Sequence, residues 1–280
     1  MKLASTKGIS WSERNAFRWF RIRKRIYQLL RHRNSGDSKI LFVVGCQRSG
    51  TSMLSHIFRR DWNVVTFDEV SPLSSADPEG LRWDPLPDVA RRLQNKRAPL
   101  IVCKPLVESQ NLTQMLDAFP GSRAVWMYRD YHDVAWSNLK FFGGDNGRND
   151  LAPIVAGDQS DWRVEHADER HLEVVRGCAA AEMNDWDAAA LFWWVRNQLF
   201  FSRAYSEDPR VIGLDYNDLV SQPEPALESL YRHVGIEFPG QHIYSDVFSS
   251  SRGNGQKITL RPDVEVLCRQ LLARLKDATS

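Results

Sequence analysis

The sequence has 280 residues, of which 42% are apolar, and a formal net charge of +2. This is enough apolar material for one large core, alone or with an appended segment. No apolar run approaches the roughly 18 residues that a membrane span needs, and nothing resembles a signal peptide. The four cysteines (Cys46, Cys103, Cys178 and Cys268) show neither a C-x-x-C pair nor a zinc-binding spacing, which predicts a reduced chain in the cytoplasm.

Residues 1–38 differ from the rest of the chain, because they combine a basic stripe and an apolar stripe at helical spacing. The two stripes are Arg14, Arg18, Arg21 and Arg25, and Trp19, Ile22, Ile26 and Leu29. A basic amphipathic helix of this kind fits contact with an anionic membrane surface through residues 11–33. It equally fits a helix docked on the main domain or on a partner chain. Residues 34–37 have the composition of a linker, so we expect a boundary at residue 38 and a main domain over 39–280.

The stretch 39–60 predicts a loop that binds phosphate or a similar anion. Residues 40–44 form an apolar run typical of a strand that is buried on both faces, and Gly45 and Gly50 bracket the polar loop that follows. Thr51 and Ser52 then open a helix, whose N-terminal N–H groups and dipole attract an anion. Thr51 stands where the P-loop of nucleotide triphosphatases carries Lys, and the cation lies within the loop instead, as Arg48.

After this loop, apolar segments alternate with amphipathic ones. We expect strands at 63–67, 99–103, 122–128 and 211–216, and helices at 88–94, 110–119, 133–142, 187–205, 224–234 and 264–275. The alternation predicts an α/β fold of P-loop-like, three-layer type, with a central parallel sheet flanked by helices and ligands at the carboxyl ends of the strands. Residues 71–87, which are rich in proline, predict a surface loop near the site. Residues 143–186 fit a lid or acceptor-binding insertion, or ordinary surface helix and loop.

Two motifs resemble sulfotransferases that use 3′-phosphoadenosine 5′-phosphosulfate (PAPS). The loop GCQRSGTS is similar to their 5′-phosphosulfate loop, [KR]-[ST]-G-[ST]-[TS]. The segment from Arg129 to Ser137 is similar to their 3′-phosphate motif, R-D-P-x-D-x-x-x-S, with Tyr131 in place of Pro. A guanidinium can grip a phosphate with two hydrogen bonds, and a hydroxyl in the following helix can donate from the other side. For Arg129 alone, an ion pair with Asp130 or Asp133 is the alternative.

A third match concerns the chemistry of the transfer. Lys104 and Pro105 match the K-P segment of glycan and tyrosyl-protein sulfotransferases, and the resemblance implies that this Lys contacts the sulfonate and the bridging oxygen. Cytosolic small-molecule sulfotransferases carry a His two residues after the matching Lys, and here that position is Leu106. The general base of those enzymes is therefore missing from this chain.

Tyrosyl-protein and related bacterial sulfotransferases use a Glu after the first helix as general base, and the family spacing from the loop Arg points to Glu69. Asp68 beside it is the competitor. If neither acts, the base lies elsewhere, with His166, His171 and the carboxylates of 143–186 as the remaining candidates.

Two weaker similarities extend the match to about residues 39–277. The segment beginning LDYNDL resembles a structural scaffold segment of the same superfamily. Residues 250–257 resemble the late loop that closes over the nucleotide. The donor ligands that the resemblance implies are Gln47, Arg48, Ser49, Gly50, Thr51, Ser52, Arg129, Ser137, Ser250, Arg252 and Lys257.

The resemblance implies an enzyme that moves a sulfuryl group from PAPS to an acceptor hydroxyl on a saccharide, a glycolipid or a small molecule. The motif layout is closest to the tyrosyl-protein and bacterial glycan-type enzymes. Arg48 and Lys104 would neutralise charge while Glu69 deprotonates the acceptor, and fixed cations would suffice without a metal because the transferred group carries fewer charges than a γ-phosphoryl group. We expect no nucleic-acid partner.

Two other functions stay open at this point. The run VIGLD, which ends at Asp215, has the pattern of a Mg²⁺-binding strand and fits a P-loop kinase or nucleotidase, although Thr51 replaces the required Lys. An inactive fold could also act as a membrane-associated nucleotide-binding module through its N-terminal helix. That second alternative is disfavoured because the chain keeps all four key residues of the motifs, Arg48, Lys104, Arg129 and Ser137.

Overall fold

The structure, a computed structural model, describes residues 11–32, 38–180, 182–247 and 253–279, without the side chains of 11–17 and of Gln256. Five strands form one all-parallel sheet in the order β2-β3-β1-β4-β5. They are β1 (Lys39–Gly45), β2 (Val64–Phe67), β3 (Leu100–Cys103), β4 (Arg123–Tyr128) and β5 (Val211–Asp215). Each lies where an apolar run predicts it, so the parallel α/β sheet is confirmed.

Helices cover both faces of this sheet. They are α1 (Trp11–Arg31), α2 (Thr51–Arg60), α3 (Leu86–Gln94), α4 (Leu112–Ala118), α5 (Tyr131–Phe142), α6 (Asn146–Ala156), α7 (Glu169–Ala179), α8 (Asp185–Ser202), α9 (Tyr216–Ser221), α10 (Pro223–Val234) and α11 (Pro262–Thr279). None of the helices in the described ranges is both long and apolar enough to cross a bilayer.

The two faces of β1 show why the fold has three layers. Phe42 and Val44 point into one apolar cluster, which also contains most of α8, whereas Leu41 and Val43 point into a second cluster with residues of α2 and α10. All four side chains are fully buried. Because alternate residues of a strand face opposite ways, a strand covered on both faces must be apolar throughout.

Several boundaries differ from the sequence prediction. The helix expected at 110–119 begins at Leu112, after a 3₁₀ segment at Leu106–Asn111. The strand expected to reach Tyr216 ends at Asp215, whose carboxylate accepts a hydrogen bond of 2.8 Å from the N–H of Asn217 and caps α9. Asp215 is therefore a helix cap in this structure, which explains the apolar-then-Asp pattern without a Mg²⁺ ion.

The stretch 143–186 is largely helical. It contains α6 and α7, whose apolar residues pack into the cluster that also holds α8. Its buried core residues include Leu151, Ile154, Leu172 and Val175. These side chains tie the stretch to the domain core.

The N-terminal helix α1 docks on the main domain. The ammonium of Lys24 donates to the carbonyl of Arg59 over 2.7 Å, and the amide of Gln28 donates to the carbonyls of Trp62 and Val64 over 3.0 and 3.2 Å. These contacts lie at the end of α2 and the start of β2. Of the two interpretations of this helix, docking on the domain is the one the structure contains. The side chain of Arg14 and the expected linker at 34–37 lie outside the described residues.

Candidate active site

The loop between β1 and α2 has an unusual backbone at two positions. Arg48 has a φ of 67° and Gly50 a φ of 93°. A Cβ atom at position 50 would lie 2.3 Å from the ring of Tyr216, so only glycine fits there. Left-handed backbone at a residue with a side chain, as at Arg48, costs free energy and is found mainly at functional sites.

This loop can hold an anion. The N–H groups of Thr51 and Ser52 lie in the first turn of α2, where the helix offers them no acceptor. The Oγ atom of Ser49 is buried and has no hydrogen-bond partner among the described residues. A buried hydroxyl without a partner costs free energy, and an anion in the loop would supply an acceptor. The residues present therefore fit a phosphate or phosphosulfate group.

Gln47 contributes to this loop in a different way. Its amide Nε2 donates to Oδ2 of Asp150 over 2.7 Å, and Asp150 also accepts hydrogen bonds from the guanidinium of Arg163. Asp150 is 4% exposed, so this contact is protected from water. The side chain of Gln47 thus fastens the loop to α6. The binding of the 5′-phosphosulfate that was predicted for this residue is therefore left to its backbone N–H group.

Arg48 reaches from the loop to α5. Its Nε atom donates to Oγ of Ser137 over 3.1 Å, and its guanidinium lies 4.2 Å from the ring centre of Phe141 and 5.9 Å from that of Phe142. Burial lowers the pKa of Arg48, and the charge of Arg129 lowers it further. An arginine nevertheless stays protonated at neutral pH, so a fixed positive charge joins the two predicted phosphate subsites.

Arg129 stands at the carboxyl end of β4 and is 4% exposed. Its Nη2 atom donates to Oδ2 of Asp133 over 3.0 Å, and its guanidinium lies 4.3 Å from the ring centre of Tyr216. Asp133 also accepts hydrogen bonds from the backbone N–H groups of Gly253 and Gly255, over 3.0 and 2.8 Å. The ion pair that was the alternative for Arg129 is thus present, and it also fixes the late segment next to Arg129.

Lys104 lies between the loop and the candidate base. Its ammonium donates to Oγ of Ser52 over 3.1 Å and lies 4.0 Å from Oε1 of Glu69. The two charged side chains are 8% and 20% exposed. Burial raises the pKa of Glu69, while the charge of Lys104 opposes that rise and the charge of Asp68 adds to it. When it is deprotonated, a carboxylate with a raised pKa is a stronger base than an ordinary carboxylate.

Asp68 has other partners. It accepts a hydrogen bond of 2.7 Å from Oγ of Ser55 and pairs with the guanidinium of Arg59 over 2.5 Å. Both partners belong to α2. The carboxylate of Asp68 is therefore bound to the helix, whereas that of Glu69 lies beside Lys104.

The remaining predicted donor ligands belong to the late segment, residues 250–257, and the candidate base His171 lies in α7. Lys257 is exposed at the end of a 3₁₀ segment, Asn254–Lys257, and Ser250 and Arg252 lie outside the described residues. His171 packs its ring 5.3 Å from that of Trp194.

Two residues that position the candidate ligand-binding groups, Tyr216 and Asp133, were not identified from the sequence. Tyr216 belongs to the segment that was interpreted as scaffold, yet its ring contacts both the loop at Gly50 and the guanidinium of Arg129. Asp133 is part of the 3′-phosphate motif, so the motif itself was a signal for it. For Tyr216, no local pattern gives such a signal, because both contacts are distant in sequence.

Comparison with known proteins gives the family of the chain and its fold. The model of the sulfotransferase family matches residues 88–240, a span that includes Lys104, Arg129 and Ser137. No curated protein sequence matches the chain.

Two solved structures are similar in fold. The sulfotransferase domain of the olefin synthase from Synechococcus PCC 7002 is 14% identical with a TM-score of 0.51, and the match covers 85% of this chain and 95% of that domain. The sulfotransferase domain from the curacin biosynthetic pathway is 16% identical with a TM-score of 0.50, and the match covers 84% of this chain and 98% of that domain. At these identities the two structures show the fold, and the family model, which matches more than half of the sequence, shows that this chain belongs to the sulfotransferase family.

Proposed function

We propose that the protein transfers a sulfuryl group from PAPS to an acceptor hydroxyl, with Glu69 as general base. The observation that carries this proposal is the position of Lys104, whose ammonium contacts Ser52 at the start of α2 and lies 4.0 Å from Glu69. One cation thereby stands between the anion loop and a half-buried carboxylate. A transfer reaction needs this arrangement, because negative charge on the leaving group and removal of the acceptor proton must be handled together.

The donor is proposed to bind at two anion subsites. The 5′-phosphosulfate would take the backbone N–H groups from Gln47 to Ser52 and the hydroxyls of Ser49, Thr51 and Ser52. The 3′-phosphate would take the guanidinium of Arg129 and the hydroxyl of Ser137. The hydrogen bond between Arg48 and Ser137 supports this arrangement, because it brings the two subsites next to each other. PAPS, when bound, supplies the sulfuryl group.

The residues of the chain then divide the work of one in-line displacement. Glu69 takes the proton of the acceptor hydroxyl while the acceptor oxygen forms its bond to sulfur. The bond between sulfur and the bridging oxygen breaks, and the electron pair stays on that oxygen, which belongs to the departing adenosine 3′,5′-bisphosphate (PAP). Lys104 and Arg48 stabilise the charge that develops there. Positioning and electrostatics supply most of the rate acceleration in this scheme.

For the acceptor we propose a saccharide, a glycolipid or a small molecule with an apolar face. The rings of Phe141 and Phe142 beside Arg48 support this class, because they are 49% and 40% exposed and offer a platform for C–H groups. The proposal includes action in the cytoplasm, which the four free cysteines support.

The donor is tested by thermal unfolding with PAP, with adenosine 5′-monophosphate (AMP) and with ATP, each with and without Mg²⁺. Saturating PAP should raise the melting temperature by an amount on the order of 5 °C, independently of Mg²⁺, and AMP should raise it less. A larger shift with Mg²⁺–ATP than with PAP would instead favour a kinase. Incubation with radiolabelled PAPS and fractionated cell extract would then identify the acceptor, and the absence of any labelled product would contradict the transferase function.

A further inference from the structure

The helix α1 exposes an apolar surface on the side that faces away from the domain. Its docked side carries Lys24 and Gln28, which are 9% and 8% exposed, and Tyr27, which packs its ring against that of Trp62. Among the side chains of α1 that the structure describes, five large apolar ones remain uncovered. They are Trp19, Ile22, Ile26, Leu29 and Leu30, with exposed fractions of 64%, 40%, 51%, 46% and 70%.

These five side chains form one continuous stripe, the outer stripe of α1. At 3.6 residues per turn they fall within an arc of roughly 100°, and Lys24 lies on the opposite side of the helix. The stripe has the width of a face that a helix normally buries. Docking of α1 therefore leaves this apolar stripe uncovered, because the domain holds the helix by the opposite side, which carries Lys24, Gln28 and the rings of Phe20 and Tyr27.

Within residues 18–32, the charges beside the outer stripe are all positive. Arg18 and Arg25 are exposed along one margin, and Arg23 is exposed along the other. Residues 18–32 contain no Asp and no Glu. A partner for this surface must therefore combine an apolar interior with negative charge at its boundary.

We propose that the outer stripe of α1 docks on an anionic lipid membrane, with the helix axis in the plane of the membrane. A bilayer offers hydrocarbon to the five apolar side chains and anionic headgroups to the arginines on both margins. Trp19 suits this position, because an indole ring is favoured at the boundary between hydrocarbon and water. A second copy of this chain fits less well, since pairing two stripes would bring arginine against arginine.

The docked side of α1 gives this contact a consequence for the enzyme. Because Lys24 and Gln28 fix the helix to α2 and β2, membrane binding through the opposite side would hold the catalytic domain in a defined orientation. The sulfotransferase would then act as a peripheral membrane enzyme that is folded both in its membrane-bound state and in its free state. No segment needs to unfold or refold for this contact.

The test uses the full chain and point variants, since α1 is part of the packed structure. Sedimentation is measured with vesicles of pure phosphatidylcholine and with vesicles of equal parts phosphatidylcholine and phosphatidylserine, at low and at high salt. One variant carries Trp19→Ser and Ile26→Ser, and another carries Arg18→Gln and Arg25→Gln. The matched control carries Val266→Ser and Arg269→Gln, which exchange an exposed apolar residue and an exposed arginine on α11.

Wild type and control should bind the anionic vesicles at low salt, release them at high salt and ignore the neutral ones. The arginine variant should lose roughly 30-fold in binding. The Trp19/Ile26 variant should lose at least about tenfold. Equal binding by all four proteins, or equal binding to neutral vesicles, would overturn the proposal. The proposal would also be overturned if the wild-type protein formed dimers that bind no vesicles and if the Trp19/Ile26 variant were monomeric. The stripe would then join two copies of the chain. Unchanged melting temperatures and PAP binding would show that the variants remain folded.

Discussion

The Nε atom of Arg48 donates a hydrogen bond to Oγ of Ser137 over 3.1 Å, which joins the loop after β1 to the helix after β4. Because Oγ accepts this bond, the hydroxyl proton of Ser137 stays available to another acceptor. A 3′-phosphate beside Arg129 would be such an acceptor. The contact therefore orients the serine for the role proposed for it.

Ser137→Ala should weaken PAP binding by roughly 10- to 150-fold, since a hydrogen bond to a charged group is lost. Binding of AMP, which has no 3′-phosphate, should change little. Isothermal titration calorimetry with both nucleotides measures the two affinities. Ser160→Ala, which removes an exposed hydroxyl bonded to Asp158, serves as the control. Equal losses for PAP and AMP would show that Ser137 does not bind the 3′-phosphate.

Glu69→Gln should lower the turnover number by a factor on the order of 10² to 10⁴ while leaving PAP affinity near that of wild type. The change keeps the shape of the side chain and removes its ability to accept a proton. Asp68→Asn is the matched control, because Asp68 is bound to Ser55 and Arg59 of α2. Turnover is measured with radiolabelled PAPS and the identified acceptor. If Asp68→Asn loses turnover and Glu69→Gln does not, Asp68 is the general base instead of Glu69.

The pH dependence of stability offers a second view of Glu69. Its pKa is raised in the folded protein above the ordinary value of 4.5, mainly by burial. Between these two pKa values the folded state binds more protons than the unfolded state, so the unfolding free energy should fall as the pH rises through this window. Urea unfolding across the window, compared between wild type and Glu69→Gln, isolates this contribution. The variant should lack the slope, and identical slopes would mean that the pKa of Glu69 is not raised.

Asp133→Asn should reduce the preference for PAP over AMP by about tenfold or more. Asp133 accepts hydrogen bonds from Arg129, Gly253 and Gly255, and the single amide oxygen of the variant can accept only some of these bonds. Arg129 would then lose its fixed position, and its contact with the 3′-phosphate would weaken. Calorimetry gives the ratio of the two affinities. A purely structural role of Asp133 would lower the melting temperature and both affinities without changing that ratio.

Gln28→Ala should lower the unfolding free energy by about 1–3 kcal/mol, because the carbonyls of Trp62 and Val64 lose their donor. Urea denaturation measures the change, and an unaltered m-value would show that the unfolded state is not affected. Gln270→Ala is the control, since Gln270 is an exposed glutamine on α11. If Gln28→Ala proves as stable as this control, α1 does not dock on the domain as described.

The strands could be predicted from sequence because a buried parallel strand leaves a continuous apolar run, as at 40–44. The loop cation Arg48 and the strand-end cations Lys104 and Arg129 could also be predicted, because each lies in a motif with a fixed position relative to its strand. The helices of 143–186 could not, since only a few of their residues are buried and polar residues dominate the rest. Contacts between distant segments, such as that of Gln47 with Asp150, follow from tertiary packing and leave no local pattern.

The choice between the membrane and docking interpretations of residues 11–33 shows another limit. Periodicity identifies the apolar and basic sides of a helix, but it does not say which side meets the domain. Here Lys24 and Gln28 find carbonyl acceptors on α2 and β2, and these polar contacts decide the orientation. The apolar side is left for another partner.

The ring of Tyr216 acts as a fixed spacer between Gly50 and Arg129. Its thickness sets how far the anion loop stands from the guanidinium, and neither side can approach the other without displacing the ring. With a phosphate at each of the two proposed subsites, the ring would fix the separation of the two negative groups on one bound molecule. Nucleotides whose phosphates lie closer together or farther apart, such as a 2′,5′-bisphosphate isomer, would bind more weakly because of that distance, even when their net charge is the same.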